Sequence, residues 1–298
     1  MHDGESPESL RRSSQIECAN QENSPDTPQP VVPYVAPACY MKERSQHRVL
    51  GGLGILFANH EREGNPPPRK QGRPKIAPTR PAKHNRPMSR EAIRHLSTAP
   101  PFAALIKRVG PPRIQVDRQR DLYEALVRAI AHQQLNGRAA ETILGRFVAQ
   151  VPGAEFPTPD QVLALPDEAF RGSGFSGSKT AAIRDIAAKT LDGTVPTRRA
   201  AARLSDDALI ERLVTIRGVG RWTVEMLLIF TLGRPDVLPV DDFGVREGYR
   251  VLHGHDEQPK PKALAEIGQA WAPYRSFATW YLYRAVEEAR RQGPASRA

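Results

Sequence analysis

The residues best suited to chemistry fall in one stretch, IRGVGRWTVEMLLIFTLGRPDVLPVDDFGV, from Ile216 to Val245. It holds two glycines one residue apart (Gly218, Gly220), a tryptophan (Trp222) and two adjacent carboxylates (Asp241, Asp242). A carboxylate in a confined site stabilises developing positive charge or positions a water. Leu238 and Val240 lead into the pair, so at least one of the two acids is expected against the core. Either Asp also suits the N-cap of a helix "FGVREGYRV", and the pair alone serves both readings.

Gly218 and Gly220 allow backbone angles and close approaches that a Cβ would block. The helix predicted to start near Arg221 presents unpaired N–H groups and a positive dipole end, together a phosphate site. Arg217 and Arg221 add charge on either side, and Thr223 follows in the first turn. An ordinary tight turn between helices would explain the same spacing. Trp222 is either a core filler or a π face beside the acid.

The elements that must position these groups read as helices. Leu122, Leu126, Ala129 and Ile130 in "DLYEALVRAIAHQQL" recur at three- and four-residue intervals. So do Ala140, Ile143, Leu144, Phe147 and Val151 in the next segment, and Thr180, Ile183, Ala187 and Leu191 in "SGSKTAAIRDIAAKTL". Ser205 is a good N-cap for "SDDALIERLVTI". "WTVEMLLIFTL" is almost wholly apolar and predicts one central helix. A last helix follows Pro273, and no alternating strand stands out. The expected class is all-α, with seven to ten helices.

The preceding part differs. Residues 1–95 are Pro-rich and polar and predict a disordered arm, with ten Lys/Arg against three Asp/Glu between 51 and 95. That arm reads as a loose phosphate-binding tail or a merely solvated one; Met88 is an alternative start, and 293–298 reads as a disordered tail. The 298 residues carry a formal charge of +10, which favours a polyanionic partner, nucleic acid before membrane. Two cysteines, Cys18 and Cys39, form no metal-binding spacing. The longest apolar run, Val49 to Ala58, is too short to span a bilayer, and the first residues do not read as a signal peptide. A cytoplasmic protein is expected.

Taken together, Leu213-x-x-Ile216-Arg217-Gly218-Val219-Gly220-x-x-Thr223 resembles a helix-hairpin-helix, with Arg217 where the usual pattern has Pro. With an Asp twenty-two residues past Gly220, the chain resembles the helix-hairpin-helix DNA glycosylase superfamily, and within it the alkylbase (3-methyladenine DNA glycosylase II) type. "AIAHQQLNGRAAETILGRF", the Gly174-x-Ser176-x-x-Lys179 segment and "WAPYRSFATWYLYR" match further family segments, so the resemblance spans about 97–291.

The resemblance implies a two-lobed helical fold over 96–292 and a catalytic Asp242. It implies Trp222 and Tyr283 as walls of a base pocket, Trp280 and Tyr281 being the competing aromatics of the last helix. DNA contacts are implied for Gly218, Gly220, Arg221, Thr223, Ser176 and Lys179, and for Gln133 or Gln134 as a wedge into the duplex. K⁺ or Na⁺ on hairpin carbonyls is implied, with no side-chain metal site. Relatives that also cut the strand carry a lysine at the position of Trp222, so plain hydrolysis without lyase action follows. A cationic alkylated purine over the indole would gain roughly 0.5–2 kcal/mol, beside stacking of ~1–3 kcal/mol. The implied partner is double-stranded DNA containing alkylated bases, met by a monomer with no membrane role. The alternatives are a non-catalytic helix-hairpin-helix DNA-binding protein and a glycosylase for another damaged base.

Overall fold

The computed structural model describes residues 86–292; the readings of the arm before 86 and of the tail after 292 lie outside that range. Through it run α1 (Arg86–Leu96), α2 (Pro100–Val109), α3 (Leu122–His132), α4 (Gly137–Val148), α5 (Pro159–Ala164), α6 (Asp167–Ser173) and α7 (Gly177–Leu191). Then come α8 (Arg198–Ala201), α9 (Asp206–Leu213), α10 (Arg221–Leu227), α11 (Phe243–His253), α12 (Pro261–Ile267) and α13 (Arg275–Gln292). No strand occurs among the described residues, so the all-α expectation holds there.

Three expectations need correction. Among the described residues thirteen α-helices replace the seven to ten expected. The extra ones are short: α5, α6, α8 and α12 have four to seven residues, too few to display a helical period. Helix α1 also begins at Arg86, inside the stretch assigned to the arm. In addition, the predicted helix 222–232 is not uniform. After Leu227 it widens into a π-helical turn, Leu228–Leu232, ending at left-handed Gly233.

Side-chain caps set most of the helix starts. Asp121, Asn136, Ser176, Ser205 and Asp242 each accept a hydrogen bond from the backbone N–H three residues on. Thr158 and Gln161 form a reciprocal capping box on α5. Each such cap holds an orphan amide and is worth ~1 kcal/mol.

The apolar faces gather into two cores. One is built from α3 to α10 around Leu126, Phe147, Phe170, Ile183, Leu213 and Leu228. The other joins the first two helices to the last three, around Phe102, Leu105, Val245, Trp271, Tyr281 and Leu282. The chain thus starts in one lobe, builds the second and returns. Trp222 packs on the first core and Tyr283 on the second. In the returning lobe α11 and α13 cross so closely that a Cβ on Gly248 would lie 2.2 Å from the Leu282 carbonyl oxygen. No described helix is long and apolar enough to cross a membrane.

Candidate active site

Asp242 stands where the two lobes meet. Its neighbour Asp241 is exposed, whereas Asp242 is only 7% exposed. Its Oδ1 accepts the Val245 N–H at 2.8 Å and so caps α11. Its Oδ2 accepts the Trp222 indole N–H at 2.6 Å and the Tyr283 hydroxyl at 2.9 Å. The Gly244 amide also donates to it. This acid is therefore a helix cap and also the buried centre of a hydrogen-bonded cluster. Burial pushes its pKa up, and the donors from Trp222, Val245, Tyr283 and Gly244 oppose that without cancelling it.

A carboxylate has about four acceptor sites. Trp222, Tyr283 and Val245 fill three of them. The group is thus a fixed, largely desolvated carboxylate whose ionised form these donors support against burial.

Trp222 and Tyr283 are both half-buried. Trp222 is turned with its N–H edge to the acid, so it acts on Asp242 as a hydrogen-bond donor as well as a ring. Among the competing aromatics, Tyr281 is in the core with its hydroxyl on the Gly110 carbonyl, and Trp280 lies under the Arg284 guanidinium. Tyr283 alone of the three reaches Asp242. Gly244 makes this approach possible: a Cβ there would lie 2.9 Å from Tyr283 Cε1 and 3.2 Å from Asp242 Oδ1.

The hairpin has the predicted form. Gly218 is left-handed at φ +77, and a Cβ on it would press on Ala182 and Ile130 at 3.2 and 3.3 Å. Gly220 is the N-cap of α10, and the space where its Cβ would project is open. Arg217, Gly218, Gly220 and Arg221 are all exposed. Arg221 pairs with Glu225 at 3.0 Å. Glu225 is itself 4% exposed, and burial raises its carboxyl to about 7 against the pull of Arg221, with Asp241 and Asp242 adding to the rise.

Other predicted contacts are placed differently. Thr223 is 5% exposed and lines a small cavity with Ala125, Leu126 and Ala129 of α3, so it is set back from the surface. Lys179 is turned inward: its ammonium donates to the carbonyls of Ala131 and Gln133. Ser176 is exposed and caps α7. Gln133 donates its amide to the Gly218 carbonyl at 3.0 Å. Gln134 is exposed and left-handed at φ 60, the one non-glycine so placed among the described residues. The structure thus separates the two glutamines, one tied to the hairpin and one projecting.

Sequence reasoning missed Gly244 and Glu225. The signals were present, as a glycine two residues after the acid and a lone carboxylate in the apolar run "WTVEMLLIF". A wide concavity of about 540 Å³, lined by Tyr249, His255, Glu257 and Ile267, lies at the far end of α11 from Asp242. No cluster of metal-ligating side chains occurs among the described residues.

Comparison with known proteins places this geometry. Residues 127–273 match the HhH-GPD superfamily of base excision DNA repair proteins. The chain is 43% identical over 181 residues to DNA-3-methyladenine glycosylase 1 of Schizosaccharomyces pombe, covering 60% of this chain and 79% of that protein. A solved structure of the S. pombe 3-methyladenine DNA glycosylase in complex with abasic DNA superposes with a TM-score of 0.59 at 41% identity, over 65% of this chain and 95% of that one. A DNA-3-methyladenine glycosidase from Bacillus halodurans gives 0.60 at 33% identity, over 69% and 94%.

Proposed function

The chain belongs to the HhH-GPD superfamily of base excision DNA repair proteins, and from that premise we propose that it is a monofunctional DNA glycosylase hydrolysing the N-glycosidic bond of alkylated purines of the 3-methyladenine and 7-methylguanine type. The observation that carries the reading is the buried Asp242, held by Trp222 and Tyr283 where the lobes meet.

A base inside duplex DNA must leave the stack before its sugar can be reached. Gln134 is the wedge in this reading, because it is exposed and projects from the tip whereas Gln133 is engaged. The open N–H groups at the start of α10 and the Gly218–Gly220 turn grip a phosphate of the lesion strand, with Arg217 and Arg221 beside them. An alkylated purine is cationic and leaves readily, so the transition state is dominated by positive charge on the sugar. Asp242 stabilises that charge electrostatically. Three hydrogen bonds already fix both of its oxygens, which favours a fixed counter-charge over a general base. The tryptophan at 222 supplies no amine, so no Schiff base forms and the strand stays intact.

An all-carbonyl hairpin suits a hard monovalent cation such as K⁺ or Na⁺. Ile216 O and Gly218 O already accept from Val219 N and Gln133 Nε2, each keeping a second lone pair for it.

The test is release of bases from methylated duplex DNA. The wild-type chain should free alkylated purines, and Asp242→Asn should release none while still binding an abasic-site analogue. Near-normal release by that variant would end the assignment, and an inert wild type would leave a DNA-binding protein.

A further inference from the structure

The C-terminal end of α3 is held by contacts that the proposed chemistry does not use. Lys179, in the first turn of α7, donates its ammonium to the carbonyls of Ala131 and Gln133, both at 2.8 Å. Those carbonyls are the orphan acceptors of the last helical turn and carry the negative end of its dipole. Among the described residues no carboxylate forms an ion pair with Lys179, and burial holds its pKa below the usual lysine range. A half-buried charge resting on dipoles alone is costly, and an apolar side chain of that length would avoid the cost.

Two further contacts fix the same end. Gln133 Nε2 donates to the Gly218 carbonyl at 3.0 Å, and the fully buried His132 pairs through Nε2 with Glu141 at 3.0 Å. With 131–133 pinned and Asn136 already capping α4, the chain must turn within two residues. It does so by placing Gln134 in a left-handed conformation that favours glycine. A long, exposed amide thus occupies a position whose backbone asks for no side chain at all.

We propose that Lys179 is a positioning residue for base extrusion: by clamping the α3 end it keeps the tip loop in the one conformation that carries Gln134 outward, and through Gln133 it ties that tip to the hairpin. The idea rests on the glycosylase reading and on Gln134 as the wedge. The clamp prepays the ordering of the tip, which would otherwise be charged against extrusion.

The experiment compares excision of one methylated purine from two DNAs, one with the lesion paired in duplex and one with it in a single strand, which needs no extrusion. Lys179→Met should lower the rate on the paired lesion about 10-fold or more and on the single strand less than about 2-fold, a loss equivalent to one decade of rate. Lys179→Arg, which keeps a cationic donor, should recover part of the paired activity. Equal losses on both DNAs, or no loss on either, overturn the clamp while leaving the glycosylase reading intact. A wild-type chain inert on both DNAs overturns the glycosylase reading and the clamp with it. Should Lys179→Met not fold, Lys179→Gln, shorter and uncharged and so unable to hold both carbonyls, must give the same split between the two DNAs.

Discussion

Replacing Gly244 by Ala adds one methyl group and should separate stability from chemistry. The added Cβ would sit 2.9 Å from Tyr283 Cε1, whereas ordinary contact begins at 3.4 Å, so the ring must recede by roughly 0.5 Å. The Tyr283–Asp242 hydrogen bond is now 2.9 Å. Such a shift along its length brings it to ~3.4 Å, outside the range of an effective O–H···O bond. A hydrogen bond to a charged group is worth ~1.5–3 kcal/mol, which corresponds to ~10–150-fold in rate if it is fully expressed in the transition state. Stability should fall by less, roughly 0.5–2.5 kcal/mol, because Gly→Ala in the first turn of α11 returns ~0.5–1 kcal/mol of helix propensity against the lost bond. Single-turnover excision on methylated duplex DNA reads the rate, and a denaturant midpoint reads the stability. Wild-type excision with an unchanged midpoint would refute the claim that Tyr283 must reach the acid. A rate loss matched by gross destabilisation would show that Gly244 is needed for packing alone.

The remaining predictions concern the same atoms. Trp222→Phe keeps a ring but removes the indole donor from Asp242, so excision should fall ~10-fold or more, and the acid limb of the rate profile should move to higher pH; an unchanged profile would count against the hydrogen bond. In the wild type, burial raises the pKa of Asp242, so the charged form appears only as pH rises through that raised value. The acid limb of kcat should therefore lie above 3.8, and a limb at or below it would contradict the burial argument. Glu225 titrates at about 7 in the fold against 4.5 when unperturbed. Its raised pKa stabilises the fold fully below the unfolded value, and that contribution of roughly 3 kcal/mol is lost as pH rises through 7. Glu225→Gln should flatten this slope in denaturant midpoints taken at several pH values. Gln134→Gly relieves a left-handed side chain and should gain up to ~1 kcal/mol of stability while slowing excision of paired lesions; a faster enzyme would remove the wedge.

The site was legible in the sequence where a residue's type alone restricts its use. Gly218 suited a turn, Trp222 could not be an amine nucleophile, and Leu238 and Val240 set at least one of Asp241 and Asp242 near the core, the family resemblance alone singling out Asp242. What sequence could not give was direction. Thr223 stands in the hairpin's first turn and looks available, yet the same turn aims it at α3. Lys179 reads as a surface cation, but the close approach of α7 to the end of α3 turns it inward. Tyr283 and its rivals Trp280 and Tyr281 differ only by rotation about α13, which depends on how α11 crosses it. Helices of four to seven residues escaped because they complete too few turns to repeat a pattern.

The hydrogen bond from Val245 to Asp242 limits how this protein could change over generations. The acid that carries the proposed chemistry also anchors α11, and α11 lies tight against α13. Loss of the reaction therefore does not free the position to drift. Another side chain that can hold the Val245 amide, Asn above all, avoids a loss of ~1 kcal/mol at the start of α11. A lineage that abandoned catalysis would be expected to keep a short polar residue at 242, so a residue of that kind there in a relative is not by itself a sign of activity.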